Sequence, residues 1–316
     1  MSVFTPVAAH ELAAFLAPYR LGELLGYRGI AEGIENSNFF VVTACGEYVF
    51  TVFESLSYTE LGYYVELQAF LAERGLPCPR PLADRHGRRL QVFKGKPALL
   101  CERLPGVSVM RPEPTHCAAV GAALARLHLA GRGFPERRAD PRGPRWWPQA
   151  MVRLLPQLDA EDAALLRAEL AFQAALPREC LPQGVIHADL FRDNALFVDG
   201  ALSGLVDFYY ACHGPWLYDL AVAANDWCLD AAEALAPEHV AALFAGYQRL
   251  RPLRPEERTA WPGLLRAAAL RFWLSRALDR LYPRDGELVH RRDPDLFKRL
   301  LRRYAEEGVG MSEVWL

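Results

Sequence analysis

The stretch Gly184-Val185-Ile186-His187-Ala188-Asp189-Leu190-Phe191-Arg192-Asp193-Asn194-Ala195-Leu196-Phe197-Val198-Asp199-Gly200-Ala201-Leu202-Ser203-Gly204-Leu205-Val206-Asp207-Phe208 decides how this chain folds. Asp199-Gly200 is the turn pair of a tight hairpin, and an apolar strand flanks it on each side. A hairpin returns the chain to its starting point. Asn194, just before the first strand, and Asp207, just after the second, are therefore expected to be neighbours, with Asp189 in the loop that leads in. Three acidic or amide side chains then meet at one open end of a ribbon.

Asn194 and Asp207 offer the oxygen donors that a hard cation such as Mg²⁺ prefers, and Asp189 is left to receive a proton. Phosphoryl transfer needs such a set: metal ions neutralise the phosphates while a carboxylate orients and deprotonates the attacking hydroxyl. The order His187-x-Asp189 followed by Asn194 matches the kinase catalytic signature. With the hairpin ending in Asp207-Phe208, it resembles the aminoglycoside phosphotransferase and choline kinase branch of the kinase-like fold, over residues 25 to 285. Gly29-Ile30-Ala31-Glu32-Gly33-Ile34-Glu35-Asn36-Ser37-Asn38, the His187 to Asn194 loop and Phe272-Trp273-Leu274-Ser275-Arg276 are more closely similar to the kinase-like homoserine kinases of threonine biosynthesis.

The resemblance implies an α+β, bilobal protein-kinase-like fold, with a small antiparallel-sheet N-lobe and a mainly helical C-lobe. It also implies ATP and Mg²⁺ as cofactors, Asp189 as catalytic base, Asn194 and Asp207 as metal ligands, and a loop-organising role for His187. Asp219, in Trp216-Leu217-Tyr218-Asp219, resembles the family aspartate that braces the catalytic loop; capping its own helix is the plainer alternative.

The rest of the chain divides into two textures. From Tyr27 to Glu54 apolar and β-branched runs are broken at Glu35-Asn36-Ser37-Asn38 and Cys45-Gly46-Glu47, which predicts a three-stranded meander with turns at both places. Apolar Tyr64, Leu67, Phe70 and Leu71 predict a helix between Glu60 and Arg74, stopped by Gly75 and Pro77. Strand-like runs follow at 89–93 and 97–104, closing an N-terminal domain at residues 1–104. Residues 105–316 read as helical at 116–129, 149–176, 217–229, 237–250, 255–282 and 293–307. The Pro-, Gly- and Arg-rich segment 131–148 reads as an exposed loop, and only 184–208 reads as strand. Leu104 to Val109 is the expected hinge.

By resemblance, Gly29 to Asn38 is the hairpin that covers the phosphates, so Gly33, Asn36, Ser37 and Asn38 are nucleotide-side candidates whose backbone amides can approach an anion. The hinge Ala98 to Gly106 implies that the Glu102 carbonyl and the Leu104 N–H serve adenine. One departure stands out: where kinases carry a strand lysine, Tyr48-Val49-Phe50-Thr51-Val52 has Thr51. The usual helix glutamate position falls near Tyr64, with Glu66 two residues away, so the lysine is absent and its partner is not at the place the pattern gives it.

A substrate such as L-homoserine needs a cation for its carboxylate and an anion or carbonyls for its ammonium. Arg192 and Arg276 are the candidates for the first, and Asn225 and Asp226 for the second. An arginine on an amphipathic helix is as readily a solvated side chain. Numerous arginines in the last third favour an acceptor bearing a carboxylate over a polycationic aminoglycoside. Another small-alcohol kinase and a non-catalytic nucleotide-binding protein are the remaining readings.

Composition sets outer bounds. The 316 residues are 52% hydrophobic, enough for a sizeable core, and 36 basic against 38 acidic residues give a formal charge of −2. Such a balance argues against nucleic acid or an anionic membrane as main partner. Seven scattered cysteines without metal or redox spacing read as reduced core thiols, and no membrane span or export signal is visible, so a cytoplasmic protein with a small-molecule substrate is expected.

Overall fold

A computed structural model describes residues 4–30, 36–282, 293 and 295–308. The described residues fall into two units that meet in sequence between Pro105 and Gly106.

The first unit opens with helix α1 (Ala9–Leu16), followed by strands β1 (Leu24–Gly29), β2 (Asn36–Thr43) and β3 (Gly46–Phe53), helix α2 (Tyr58–Glu73), and strands β4 (Leu90–Phe93) and β5 (Lys96–Glu102). The strands form one antiparallel sheet in the order β1-β2-β3-β5-β4. Phe39, Val41, Tyr48, Phe50 and Val52 lie on one face and bury themselves against Leu12 and Leu16 of α1. By the two-residue alternation of a strand, Asn38, Phe40, Val49 and Thr51 lie on the other. α2 begins at a capping box, Ser57 Oγ accepting from Glu60 N while Glu60 Oε2 accepts from Ser57 N at 2.9 Å. The meander and the helix match the sequence reading. The turn expected at Asn36-Ser37-Asn38 does not: these residues already belong to β2, paired with Phe53, Val52 and Thr51.

The second unit contains β6 (Val107–Ser108), α3 (Pro114–Ala130), α4 (Trp147–Leu154), α5 (Ala160–Ala174), β7 (Gln183–Ile186), β8 (Ala195–Val198), β9 (Ala201–Leu205), β10 (Cys212–Pro215), α6 (Trp216–Trp227), α7 (Pro237–Gln248), α8 (Pro255–Leu281) and α9 (Asp295–Glu306). Two strands escaped the sequence reading: β6, which pairs with β8, and β10, which pairs with β7. Both are short and leave little periodicity to read. The 149–176 pattern is two helices, α4 and α5. Helices α3 and α7 touch backbone to backbone; a Cβ on Gly121 would fall 2.0 Å from Leu243 O, and one on Gly246 would fall 2.0 Å from Ala118 O. α8 packs on α6 and α9, burying Arg271, Phe272 and Trp273. Of the cysteines, Cys45 and Cys180 are exposed rather than core residues, and all seven are free thiols. Among the described residues no helix is long and apolar enough to cross a membrane.

Candidate active site

The β8–β9 hairpin closes as its turn pair requires. Ala195 faces Leu205 in the register, and the N–H of Val206 donates to Asn194 O at 2.9 Å, so Asn194 and the Val206-Asp207 step are adjacent. Asp207 takes a left-handed backbone at φ 63°, ψ 63°. Asn194 donates its amide Nδ2 to Asp189 O at 2.8 Å and lies 3.3 Å from Asp189 Oδ2. That use of its N–H groups leaves Oδ1, the atom a cation takes, without a hydrogen bond among the described residues. The Asp189 carboxylate and Asn194 are thus in contact, and the hairpin brings Asp207 to Asn194 through the backbone.

One helix holds the loop between β7 and β8 at four points. Asp219 of α6 accepts from His187 N and from Ala188 N, each at 2.7 Å. Trp227 Nε1 donates to Leu190 O at 3.1 Å, and Asp226 Oδ2 accepts from Arg192 N at 2.7 Å. Asp219 and Asp226 are two turns apart, hence on one face of the helix. Asp219 therefore grips the loop rather than its own helix terminus. The grip has an energetic purpose, because Ala188 sits at φ 63°, a conformation that costs a non-glycine residue roughly 1–3 kcal/mol. His187 is wholly buried; its Nε2 lies 3.0 Å from Val206 O and its ring 4.7 Å from that of Phe208. Burial lowers its pKa, so it ties the loop to the hairpin as a neutral imidazole.

The four residues expected at the acceptor divide differently. Arg192 pairs with Asp226, Nη2 to Oδ1 at 3.1 Å, and its Nη1 donates to Met110 O at 2.9 Å. The expectation that they meet opposite ends of a substrate gives way: the two charges satisfy each other and fix the loop. Asn225 is also corrected. It is fully buried, donating to Leu265 O at 3.0 Å and accepting from Tyr304 OH at 2.9 Å, which fastens α6 to α8 and α9.

Arg276 differs from both. Its guanidinium lies 4.3 Å from the Phe297 ring centre and 5.5 Å from that of Phe191, and its Nη1 donates to Asp293 O at 3.3 Å. Among the described residues no carboxylate is within ion-pair distance of it. Burial depresses its pKa to about 10, an effect the fields of Asp226 and Asp189 only partly offset. Sequence reasoning missed Arg271, although it belongs to the same Arg271-Phe272-Trp273 run. Its side chain is 5% exposed and Nη1 lies 3.2 Å from Asp189 Oδ1. Burial works against its charge, yet Asp189 and neighbouring Tyr218, Tyr210 and Asp140 raise its pKa. Position on the helix gave no signal; only the contact does.

In the first unit, Thr51 Oγ1 donates to Asn38 Oδ1 at 2.7 Å across the β2–β3 ladder. Ser37 points to the opposite face and is fully buried. Its Oγ accepts from the backbone N–H groups of Phe4 and Thr5, each at 2.9 Å, and donates to Glu54 at 2.6 Å. The Ser37 hydroxyl is therefore the anchor of the N-terminal segment. Glu54 also pairs with Lys96; burial opposes its ionisation, but Lys96, Ser37 and Thr5 together hold its carboxyl below the usual range. This Lys–Glu pair, by strand alternation, is on the other face of the sheet from Thr51 and does not restore the missing one. Asn36 Oδ1 accepts from Glu54 N at 3.4 Å. Gly33 lies outside the described residues. Glu102 ends the β3–β5 ladder opposite Tyr48, and Leu104 lies beyond it.

Comparison with known proteins shows the family to which the chain belongs. The model of the phosphotransferase enzyme family (APH) matches residues 26–253. A homoserine kinase of Methylobacillus flagellatus is 46% identical over 316 residues, spanning 100% of this chain and 99% of its own. One from Cupriavidus taiwanensis is 47% identical, spanning 96% of this chain and 95% of its own. Of solved structures, amicoumacin kinase hAmiN in complex with AMP-PNP, Ca²⁺ and Ami superposes with a TM-score of 0.71 at 14% identity, covering 94% of this chain and 93% of that one. A choline/ethanolamine kinase family protein from Mesorhizobium loti gives 0.67 at 21% identity, covering 95% of each. At such identities these two likenesses speak for the bilobal kinase-like α+β fold alone.

Proposed function

We propose, for a chain that belongs to the phosphotransferase enzyme family, that it is an ATP-dependent homoserine kinase, moving the γ-phosphoryl group of ATP to the hydroxyl of L-homoserine to give O-phospho-L-homoserine. The observation that carries the phosphotransferase part is the closure of the hairpin, Val206 N–H on Asn194 O at 2.9 Å, with Asn194 in contact with Asp189. The acceptor alcohol follows from full-length relatives at 46% and 47% identity.

Asp189 accepts the hydroxyl proton of the acceptor. Its neighbour Asn194 fixes the carboxylate through Oδ2, and Arg271 fixes it through Oδ1, so the base is held from both sides before substrate arrives. Asn194 Oδ1 and the Asp207 carboxylate are hard oxygen donors and suit Mg²⁺. When bound there, the metal neutralises charge on the transferring phosphates. Asn36, Asn38, Thr51 and the Glu102–Leu104 backbone serve the nucleotide.

Arg276 takes the substrate carboxylate. It is a cation held among Phe191, Phe272 and Phe297 at the catalytic loop with its charge incompletely compensated, so an incoming carboxylate gains a charge-assisted contact that a choline cannot. Steady-state kinetics with L-homoserine, choline, methylthioribose and kanamycin, with ADP release as readout, tests the assignment. A kcat/KM for homoserine at least 100-fold above the others is expected. Preference for any other acceptor would overturn it.

A further inference from the structure

The segment 131–148, expected as an exposed loop, is held at its centre. Arg138 O accepts from His213 N at 2.8 Å, so the segment runs beside β10, whose Cys212 pairs with Ile186 of β7, the residue before His187. Neighbouring strands lie about 4.8 Å apart. Arg138 is thus two such spacings from the strand that leads into the catalytic loop. Two residues on, Asp140 Oδ1 accepts from Arg142 N at 2.8 Å, and Arg142 O accepts from Trp147 Nε1 at 2.7 Å. A Cβ on Gly143 would fall 3.0 Å from Asp140 Oδ2, so the glycine leaves that oxygen uncrowded. Among the described residues Oδ2 accepts no hydrogen bond, and no cation lies within ion-pair distance of the carboxylate.

Tyr218, next to Asp219 on α6, is 6% exposed, and its hydroxyl has no hydrogen-bond partner among the described residues. Burial raises its pKa well above the ordinary value; the field of Asp140 adds to the rise and that of Arg271 opposes it. Burial raises the pKa of Asp140 too, and the Arg142 N–H with the fields of Arg271 and Arg142 offsets this only in part. A buried hydroxyl and a carboxylate short of partners, kept close to one another, are costly unless something donates to them.

The charges near the base lead to the same place. Arg192 and Asp226 satisfy each other, as do Arg271 and Asp189. Arg276 and Asp140 remain, a cation and an anion without an ion-pair partner among the described residues. Arg276 has the acceptor carboxylate. With Asn225 and Asp226 committed elsewhere, the acceptor ammonium is still without a counter-charge.

We propose that Asp140, together with the Tyr218 hydroxyl, takes the ammonium group of the amino-acid acceptor and so sets the enzyme's preference for a zwitterion. The inference rests on the kinase reading above and deepens it. An ammonium supplies three donors, enough for Asp140 Oδ2 and the Tyr218 oxygen together.

The test compares L-homoserine with 4-hydroxybutyrate, the same chain with hydrogen in place of the ammonium. Binding of each to the folded Mg²⁺-ADP complex is measured by calorimetry, so the poorer acceptor need not turn over. Asp140→Asn keeps the oxygen that Arg142 N–H uses and removes the charge. It should weaken homoserine at least about 10-fold and 4-hydroxybutyrate less than twofold, narrowing the ratio of their affinities at least fivefold. A smaller narrowing, or equal losses for both ligands, would overturn the proposal. Tyr218→Phe removes one hydroxyl and decides the matter where Asp140→Asn does not fold: a loss of at least threefold for homoserine alone supports the site, and a loss shared by both ligands or by neither refutes it. Absence of any phosphate transfer to homoserine by wild type would sink the functional reading instead, whereas a competent wild type whose Asp140→Asn variant keeps the affinity ratio would sink this proposal alone.

Discussion

The guanidinium of Arg271 lies 3.2 Å from Oδ1 of Asp189, and 82 residues separate them in sequence. The pair is largely out of water, the two side chains being 5% and 14% exposed, so the guanidinium fixes the direction in which the base points. Replacing Arg271 by Leu removes that support. In the folded variant kcat should fall at least about 10-fold, in line with roughly 1.5–3 kcal/mol for a hydrogen bond to a charged group, while Arg271→Lys retains more of the wild-type rate. An unchanged kcat in Arg271→Leu would show that the pair is structural only.

Arg276 is assigned to the substrate carboxylate, so its loss should fall on acceptor binding. Arg276→Ala is expected to raise KM for homoserine by about 10- to 100-fold, in line with roughly 1.5–3 kcal/mol for a charge-assisted hydrogen bond, with KM for ATP within twofold. Initial-rate measurements that vary each substrate separately decide it. A rise confined to ATP would move Arg276 out of the acceptor site.

Ser37 was a nucleotide candidate by sequence and is an anchor in the structure, accepting from Phe4 and Thr5. Ser37→Ala orphans two backbone N–H groups near the half-buried Glu54. A stability loss of about 1–3 kcal/mol is expected, with KM for ATP little changed in the folded enzyme. Chemical denaturation alongside kinetics checks both halves; a tenfold rise in KM for ATP at unaltered stability would return Ser37 to the nucleotide.

Burial lowers the pKa of both His128 and His187 below the ordinary 6.5. The unfolded chain therefore binds more protons than the folded one below about pH 6.5, and stability falls as pH falls through that value. Each histidine contributes up to about 1.4 kcal/mol per pH unit until its folded pKa is reached. Urea unfolding of wild type between pH 7.5 and 5 should show this slope, and His128→Gln should show less of it. Identical slopes would mean that His128 is not neutral in the fold.

What could be read in the sequence, and what could not, follows from how far apart the partners are. Asp199-Gly200 fixes a hairpin by local turn chemistry, so the meeting of Asn194 with the Val206-Asp207 step was legible. Asp219 was legible as a brace because the family pattern places it after the loop. Arg192 and Asp226 were each recognised as charged residues near the site, but their pairing joins a loop to a helix two turns beyond Asp219, and no periodicity encodes it. His128 on an apolar face of α3 looks like any core residue; only the approach of α7 across Gly121 and Gly246 gives it Tyr247 as a partner. Ser37, in a polar Asn36-Ser37-Asn38 run, reads as a turn. Its pairing with Val52 in the ladder makes it strand, and alternation then turns it to the buried face.

The most direct test of the central claim, that the ribbon unites a base with metal-holding oxygens, compares Asp189→Ala with Asp207→Ala. Phosphate transfer from Mg²⁺-ATP to L-homoserine is followed by ³¹P NMR, and Mg²⁺-dependent nucleotide binding by calorimetry. Asp189→Ala should lose transfer by at least about 10³-fold while binding Mg²⁺-ATP normally, and Asp207→Ala should lose the metal-dependent part of that binding. Transfer at near wild-type rates in Asp189→Ala, or metal-dependent binding intact in Asp207→Ala, would contradict the account.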